Sequence, residues 1–244
     1  MESDEKVLSD VHIESENVSV NNDYTVSRFW FRVLPCGSCV STCTDSEERG
    51  GVTDSDGDMV LSRRTNTARE EDEEQYVLTI AHSLSTGLKD VGKQLWHGSL
   101  VLADYLIHIQ DELQDKTVVE LGAGTGLAGI TASFFAKNVL CTDVGEGVLR
   151  LTEHNLDQNW NCLDLMKKKN YRICQLNWMS ENLVTDCGKY TMTEEDISLL
   201  NIAQIFIAGD VVYDNELTMA FFNTVYRLMS KPPSKSLYIS MEKR

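Results

Sequence analysis

One short block narrows what this 244-residue chain can fold into: Glu120-Leu121-Gly122-Ala123-Gly124-Thr125-Gly126-Leu127. Before it lies Thr117 to Leu121, an apolar run that suits a buried strand. After it, Leu127, Ile130, Phe134 and Phe135 recur at helical spacing in the segment Leu127 to Ala136. Glycines at such a junction let the backbone turn sharply and meet a ligand without a Cβ in the way. The next apolar run, Val139 to Thr142, ends on Asp143, 21 residues beyond Gly122. A carboxylate there can accept hydrogen bonds from both ribose hydroxyls. Strand, glycine turn, helix, strand and acid together read as a loop for a nucleoside cofactor.

Two cofactors compete for that loop. Gly124-Thr125-Gly126-Leu127-Ala128-Gly129 fits the dinucleotide spacing GxGxxG, although Gly129 also makes sense as a point of close helix–sheet packing. Glu120 favours S-adenosylmethionine, because a carboxylate at the strand end supports the loop and faces a cationic methionine moiety. A dinucleotide loop aims its helix N-terminus at pyrophosphate, which an adjacent acid would repel.

The pattern around the block is regular. Strands are expected at Tyr76 to Ala81, Tyr171 to Leu176, Ile202 to Ala208 and Ser236 to Met241. Helices are expected at Gln94 to His108, through Leu95, Leu102, Leu106 and Ile109, and at Val148 to Asn159, through Val148, Leu151, Asn155 and Leu156. Thr193 and Asp196 form a capping box opening a helix over Glu194 to Leu200. Asn215 to Met229 is a helix with Leu217, Ala220, Phe221, Val225 and Leu228 inward, stopped by Pro232-Pro233. Strands alternating with helices imply a parallel α/β sheet with helices on both faces, whose ligands bind at the carboxyl ends of the strands.

Charge divides the chain. Of 38 acidic and 22 basic residues, 18 and 7 lie in residues 1–75, which are therefore expected to be an acidic, largely disordered region. Within it, Val26 to Leu34 alternates like a strand, so residues 7–34 are a candidate β element docked on the domain at 76–244. Asp54 to Asp58 resembles the start of a calcium loop but has Met59 and Thr65 where Gly and Glu are needed. Cys36, Cys39 and Cys43 lack a fourth zinc ligand nearby. His82, His97, His108 and His154 show no metal-ligand pairing, so no metal is expected. Seven cysteines without a secretory signal read as free thiols. Lys167, Lys168 and Lys169 read as a solvated loop. No run approaches the length of a membrane span. A net charge of −16 argues against nucleic-acid binding by general electrostatics and favours a basic protein partner.

ELGAGTGL followed by an acid after the second strand resembles the seven-strand S-adenosylmethionine-dependent methyltransferases. More narrowly, it is similar to the family 16 protein methyltransferases, many of them lysine N-methyltransferases. Gly92-Lys93-Gln94-Leu95-Trp96 resembles that family's Trp-containing segment before the first strand. Leu176-Asn177-Trp178 resembles its LDW motif, with Asn for the usual Asp, and Asp210-Val211-Val212-Tyr213 its DxxY signature. The runs LKDVGKQLWHGSLVLADYL, VLSDVH and SMEKR resemble one subgroup. The methyltransferase resemblance covers residues 76–244, 169 of 244.

It implies S-adenosyl-L-methionine as cofactor and transfer of methyl to a lysine of a protein. Gly122, Gly124, Thr125 and Gly126, with Glu120, would hold the methionine portion and Asp143 the ribose. Trp96, Trp178 and Gly209 would form the cofactor wall, and Asp210 and Tyr213 would stand at the methyl group. The resemblance also implies a nuclear, nucleic-acid-associated protein substrate. The location follows as nuclear with the cytoplasm as a second compartment, and a monomer without direct nucleic-acid or membrane binding is expected. An NAD-type oxidoreductase is the runner-up enzyme. The family's sheet runs 3-2-1-4-5-7-6, whereas only five parallel strands are visible, short by some 50–60 residues at ordinary element lengths. The expectation is a truncated isoform, or an incomplete gene model, that is weakly active or acts as a binding variant.

Overall fold

A computed structural model describes residues 6–8, 24–33, 74–160, 170–182, 184 and 186–242. The calcium-like run, Cys36, Cys39 and Cys43, the lysine run at 167–169 and most of the acidic N-terminal region lie outside the described residues. By contacts the chain forms two units, one of Met1–Phe29 with Val77–Arg244 and one of Trp30–Tyr76.

In chain order the elements are β1 (Lys6–Leu8), β2 (Thr25–Val33), β3 (Glu74–His82), β4 (Ser85–Gly87), a 3₁₀ turn over Leu88–Lys93, α1 (His97–His108), α2 (Gln110–Leu113), β5 (Thr117–Leu121), α3 (Leu127–Ser133), β6 (Asn138–Asp143), α4 (Glu146–Trp160), β7 (Tyr171–Gln175), a 3₁₀ turn over Gly188–Tyr190, α5 (Glu194–Ile202), β8 (Ile205–Gly209), α6 (Asn215–Met229) and β9 (Ser236–Ser240). β1 pairs antiparallel with β4, and β2 pairs with β3.

The five strands expected from the alternating pattern form one parallel sheet in the order β7-β6-β5-β8-β9. Counted in succession, that is 3-2-1-4-5. The chain steps outward from β5 to β6 and β7, then crosses back to β8 and β9. The reversal opens a crevice beyond the carboxyl ends of β5 and β8, where ligands of such sheets bind.

All five residues of β5 are buried, as a central parallel strand requires. On one face, Val119, Leu121, Leu140, Phe206 and Ala208 pack with Leu200 of α5 and with Phe221, Val225 and Leu228 of α6. Phe206 and Phe221 are fully buried, and each contributes about 1.5–3 kcal/mol of hydrophobic stabilisation. On the other face α3 lies so close to the sheet that a Cβ on Gly129 would stand 2.3 Å from Cys141 Sγ. Gly129 is therefore a packing glycine.

The capping box is present as expected: Asp196 N donates to Thr193 Oγ1, and Thr193 N donates to Asp196 Oδ2 at 2.8 Å. Among the boundaries that differ from expectation, three affect how the elements meet. Gln94 does not open a helix; it is extended, bridges Ser83 and donates its amide to Thr86 Oγ1, so α1 starts only after Trp96. Helix α3 ends at Ser133, where Phe134 N closes a tighter turn onto Thr131 O. Ile202 belongs to α5, and β8 starts at Ile205.

Helix α4 grips β3 through side-chain amides. Asn155 Oδ1 accepts from Ala81 N (2.8 Å) and its Nδ2 donates to Ala81 O (2.9 Å). Asn159 does the same to Thr79 N and O, both at 2.7 Å. The spacings match: four helical residues rise about 6 Å, and two strand residues about 6.8 Å.

Candidate functional site

The crevice is a cavity of about 660 Å³. Its floor is the turn after β5. Gly122 N and Ala123 N both donate to Thr142 O at 2.9 Å, which binds the turn to β6. Gly122 has φ +77°, and a Cβ there would lie 2.9 Å from Val211 Cγ1 and 3.1 Å from Trp178 Cη2. Only a residue without a side chain keeps this floor open. Gly124 and Thr125 also line the cavity. Gly126 does not; it is the left-handed N-cap of α3.

Asp143 lines the cavity at the end of β6. Its Oδ2 accepts from Gly124 N (2.7 Å) and its Oδ1 from Val144 N (2.6 Å). Burial pushes this carboxyl above the ordinary Asp range, and those two N–H groups oppose the push. One acid thus fixes the glycine turn and faces the cavity.

Glu120 corrects the sequence expectation of an acid facing the ligand. It is buried outside the cavity lining, on the sheet face covered by α3, with its Oε2 2.4 Å from where a Gly129 Cβ would be. Desolvation raises its pKa to about 8, with the Cys141 thiol hydrogen bond opposing and the Asp143 charge adding to the rise. The burial follows from alternation: Glu120 lies between Val119 and Leu121, which take the opposite face of the sheet.

Trp96 and Trp178 both line the cavity. Trp96, half-buried at the N-cap of α1, donates Nε1–H to Val91 O at 3.1 Å. Trp178 packs edge-on against Phe221, centroids 5.2 Å apart. Its Nε1 is buried with no hydrogen-bond partner.

Asp210 closes the far wall with Gly209 and Tyr213. It has φ +54°, a left-handed conformation uncommon outside glycine and a form of strain that concentrates at functional sites. Its N donates to Ser240 O (2.8 Å), its Oδ2 accepts from Gly98 N (2.5 Å) and its Oδ1 from Glu242 N (3.1 Å). Helix α1 has no side-chain cap of its own, and Asp210 supplies that acceptor from across the fold. Tyr213 is exposed at the mouth.

The structure therefore brings Trp96, Gly122, Gly124, Thr125, Asp143, Trp178, Gly209, Asp210 and Tyr213 to one cavity and leaves Glu120 and Gly126 behind it. Sequence reading missed Ser99, which also lines it, and Gly98, which donates to Asp210; their place two and three residues after Trp96 was the available signal. It also missed Val91, for which a 3₁₀ turn left no periodicity to detect. Among the described residues no three His, Cys, Asp or Glu side chains could hold a metal ion, and no helix is long and apolar enough to cross a membrane.

A family profile described as lysine methyltransferase matches residues 72–244. Methyltransferase-like protein 22 of Mus musculus is 40% identical over 171 residues, covering 69% of this chain and 43% of that protein. Its Homo sapiens counterpart is 36% identical over 207 residues, covering 82% of this chain and 51% of that protein. The Mus musculus histone-arginine methyltransferase METTL23 is 28% identical over 153 residues, covering 63% of this chain and 54% of that protein. The chain spans about half the length of the curated relatives it matches.

Proposed function

Because the chain belongs to the lysine methyltransferase family, we propose that it is a protein-lysine N-methyltransferase that uses S-adenosyl-L-methionine. The observation that carries this reading is the joining, in one cavity, of a side-chain-free glycine floor, two aromatic walls and two carboxylates.

The residues fit the cofactor. A Cβ at Gly122 would fill the cradle, and the acids suit a ligand bearing a sulfonium and an ammonium. Gly122, Gly124 and Thr125 would hold the methionine portion, with Asp143 at the ribose and Trp178 and Trp96 as walls. When bound, the cofactor supplies a methyl group on a sulfonium, an activated donor, so the protein contributes chiefly positioning and electrostatics.

A lysine amine attacks only when neutral, and its free pKa is about 10.4. Asp210 attracts the incoming ammonium to the cavity wall, and loss of water around it eases deprotonation. Both Asp210 oxygens already accept backbone N–H groups, so the carboxylate orients the amine and does not serve as a dedicated base. Tyr213 adds an aromatic side and a hydroxyl at the mouth. The acidic balance of the chain favours a basic protein as substrate. A nuclear, nucleic-acid-associated protein, met by a monomeric enzyme, completes the reading.

The test is a tritiated-methyl assay of the purified chain on nuclear extract, followed by mass spectrometry of the labelled protein. A 14 Da increment on lysine is expected. An increment on arginine would replace the lysine assignment, and the absence of any label would remove the enzymatic reading.

A further inference from the structure

Beneath the glycine floor lie two polar side chains of α4 that no part of the mechanism above uses. Thr152 Oγ1 donates to Gly124 O at 2.7 Å, sharing its one hydrogen with its own helix carbonyl Val148 O at 3.0 Å, and Asn155 Nδ2 donates to Thr125 O at 2.8 Å. These are the carbonyls of two consecutive turn residues, both of which line the cavity. Thr152 and Asn155 are both fully buried. Three residues apart on a helix, they share a face. Thr152 Cγ2 also sits where a Cβ on Gly126 would meet it at 3.0 Å, so the turn rests directly on α4.

Asn155 has a second attachment. The amide that holds Thr125 O also takes both backbone groups of Ala81, so one side chain joins β3 to the turn. Three of its four hydrogen-bonding sites are used in a buried setting, where a lost partner is costly. Asn159, one turn further along α4, grips Thr79 in the same manner, but its other bond runs to Asn155 O within the helix. The protein thus contains its own control: two asparagines with one chemistry on one strand, and only one of them touching the turn.

We propose that Thr152 and Asn155 are positioning residues of the methyl-donor site, holding the Gly124 and Thr125 carbonyls down so that the turn's N–H groups and left-handed glycines keep the cavity floor in its binding shape. The inference rests on the reading of that floor as the S-adenosylmethionine cradle. It predicts that Thr152 and Asn155, neither of which lines the cavity, set cofactor affinity without touching the cofactor.

The experiment measures S-adenosylmethionine binding by calorimetry and melting temperature for the full chain and for Asn155→Asp, Thr152→Val and Asn159→Asp. Asn155→Asp replaces the donating amide with a carboxylate facing two carbonyls; Thr152→Val removes one donor at constant shape. Both are expected to weaken binding about tenfold, the scale of one buried hydrogen bond. Asn159→Asp is expected to lower the melting temperature as Asn155→Asp does, yet to bind within about twofold of the unaltered chain, since its lost bonds lie on β3 and not on the turn. Equal weakening by the two Asp variants, or none by Asn155→Asp and Thr152→Val, overturns the inference while the cradle reading stands. If Asn155→Asp does not fold, Thr152→Val against Asn159→Asp decides in the same terms. No binding by the unaltered chain overturns the cradle reading, and the inference with it.

Discussion

Gly98 N donates to Asp210 Oδ2 at 2.5 Å, across 112 residues of sequence. A Cβ on Gly98 would lie 2.6 Å from that oxygen, so helix start and carboxylate are fitted to each other. Gly98→Ala forces one of them to move. Misplacement of an orienting group lowers turnover more than ligand binding. The expected result is a reduced kcat with cofactor affinity largely retained, read by methyl-transfer kinetics beside calorimetry.

Removing the carboxylate tests its charge against its structural work. Asp210→Ala abandons the N–H groups of Gly98 and Glu242 and places alanine at φ +54°, costing about 1–3 kcal/mol of stability. Asp210→Asn keeps an acceptor and tolerates that conformation better. Both are expected to bind S-adenosylmethionine and to fail in transfer, with the Asn variant melting nearer the unaltered protein. Full activity in Asp210→Asn would show that the negative charge is dispensable.

The cradle itself is open to a single methyl group. Gly122→Ala puts a Cβ 2.9 Å from Val211 Cγ1 at φ +77°, filling the floor and straining the turn. Cofactor affinity is expected to fall by at least about tenfold, the scale of 1.4 kcal/mol, against strain of about 1–3 kcal/mol. Calorimetric titration measures it.

Glu120 makes stability depend on pH. Its folded pKa is raised to about 8, above the unfolded carboxyl value, so between those values the folded state holds a proton that the unfolded state has released. Stability is therefore greatest from this group at low pH and declines as pH rises through that window. Glu120→Gln stays neutral throughout. The variant is expected to melt above the unaltered protein at pH 8 and to converge with it near pH 5. Parallel melting curves at all pH values would mean that Glu120 is not held neutral.

The helix–sheet contact at Gly129 offers a purely structural counterpart. A Cβ there would lie 2.3 Å from Cys141 Sγ and 2.4 Å from Glu120 Oε2. Overpacking of this kind costs about 1–3 kcal/mol. Gly129→Ala is expected to lower the denaturation midpoint without changing the cofactor affinity of the folded fraction.

What the sequence revealed follows from the range of the forces involved. Strand succession, the glycine turn and the Thr193–Asp196 cap are local patterns, and helix α6 runs from Asn215 to Met229 as periodicity implies. The contacts that finish the site and tie β3 to α4 join residues 74, 80 or 112 positions apart and leave no local period. Periodicity places Asn155 on the helix face of Val148, Leu151 and Leu156, but carries no sign that it joins β3 to the turn. Glu120 was legible as part of the motif, but the side of the sheet it takes depends on β6 and α3. Trp96 and Trp178 are ambiguous in isolation, and only the folded cavity separates a wall from a core.

The asparagine ladder on β3 also has a consequence for the protein's neighbours. Thr79 and Ala81 offer their N–H and C=O groups on the side of β3 that faces α4, and amides of Asn155 and Asn159 saturate all four. A strand margin left open is a template on which a foreign chain can add itself. Here a helix imitates a strand at these two positions, so none of those four groups of Thr79 and Ala81 is left to a foreign strand.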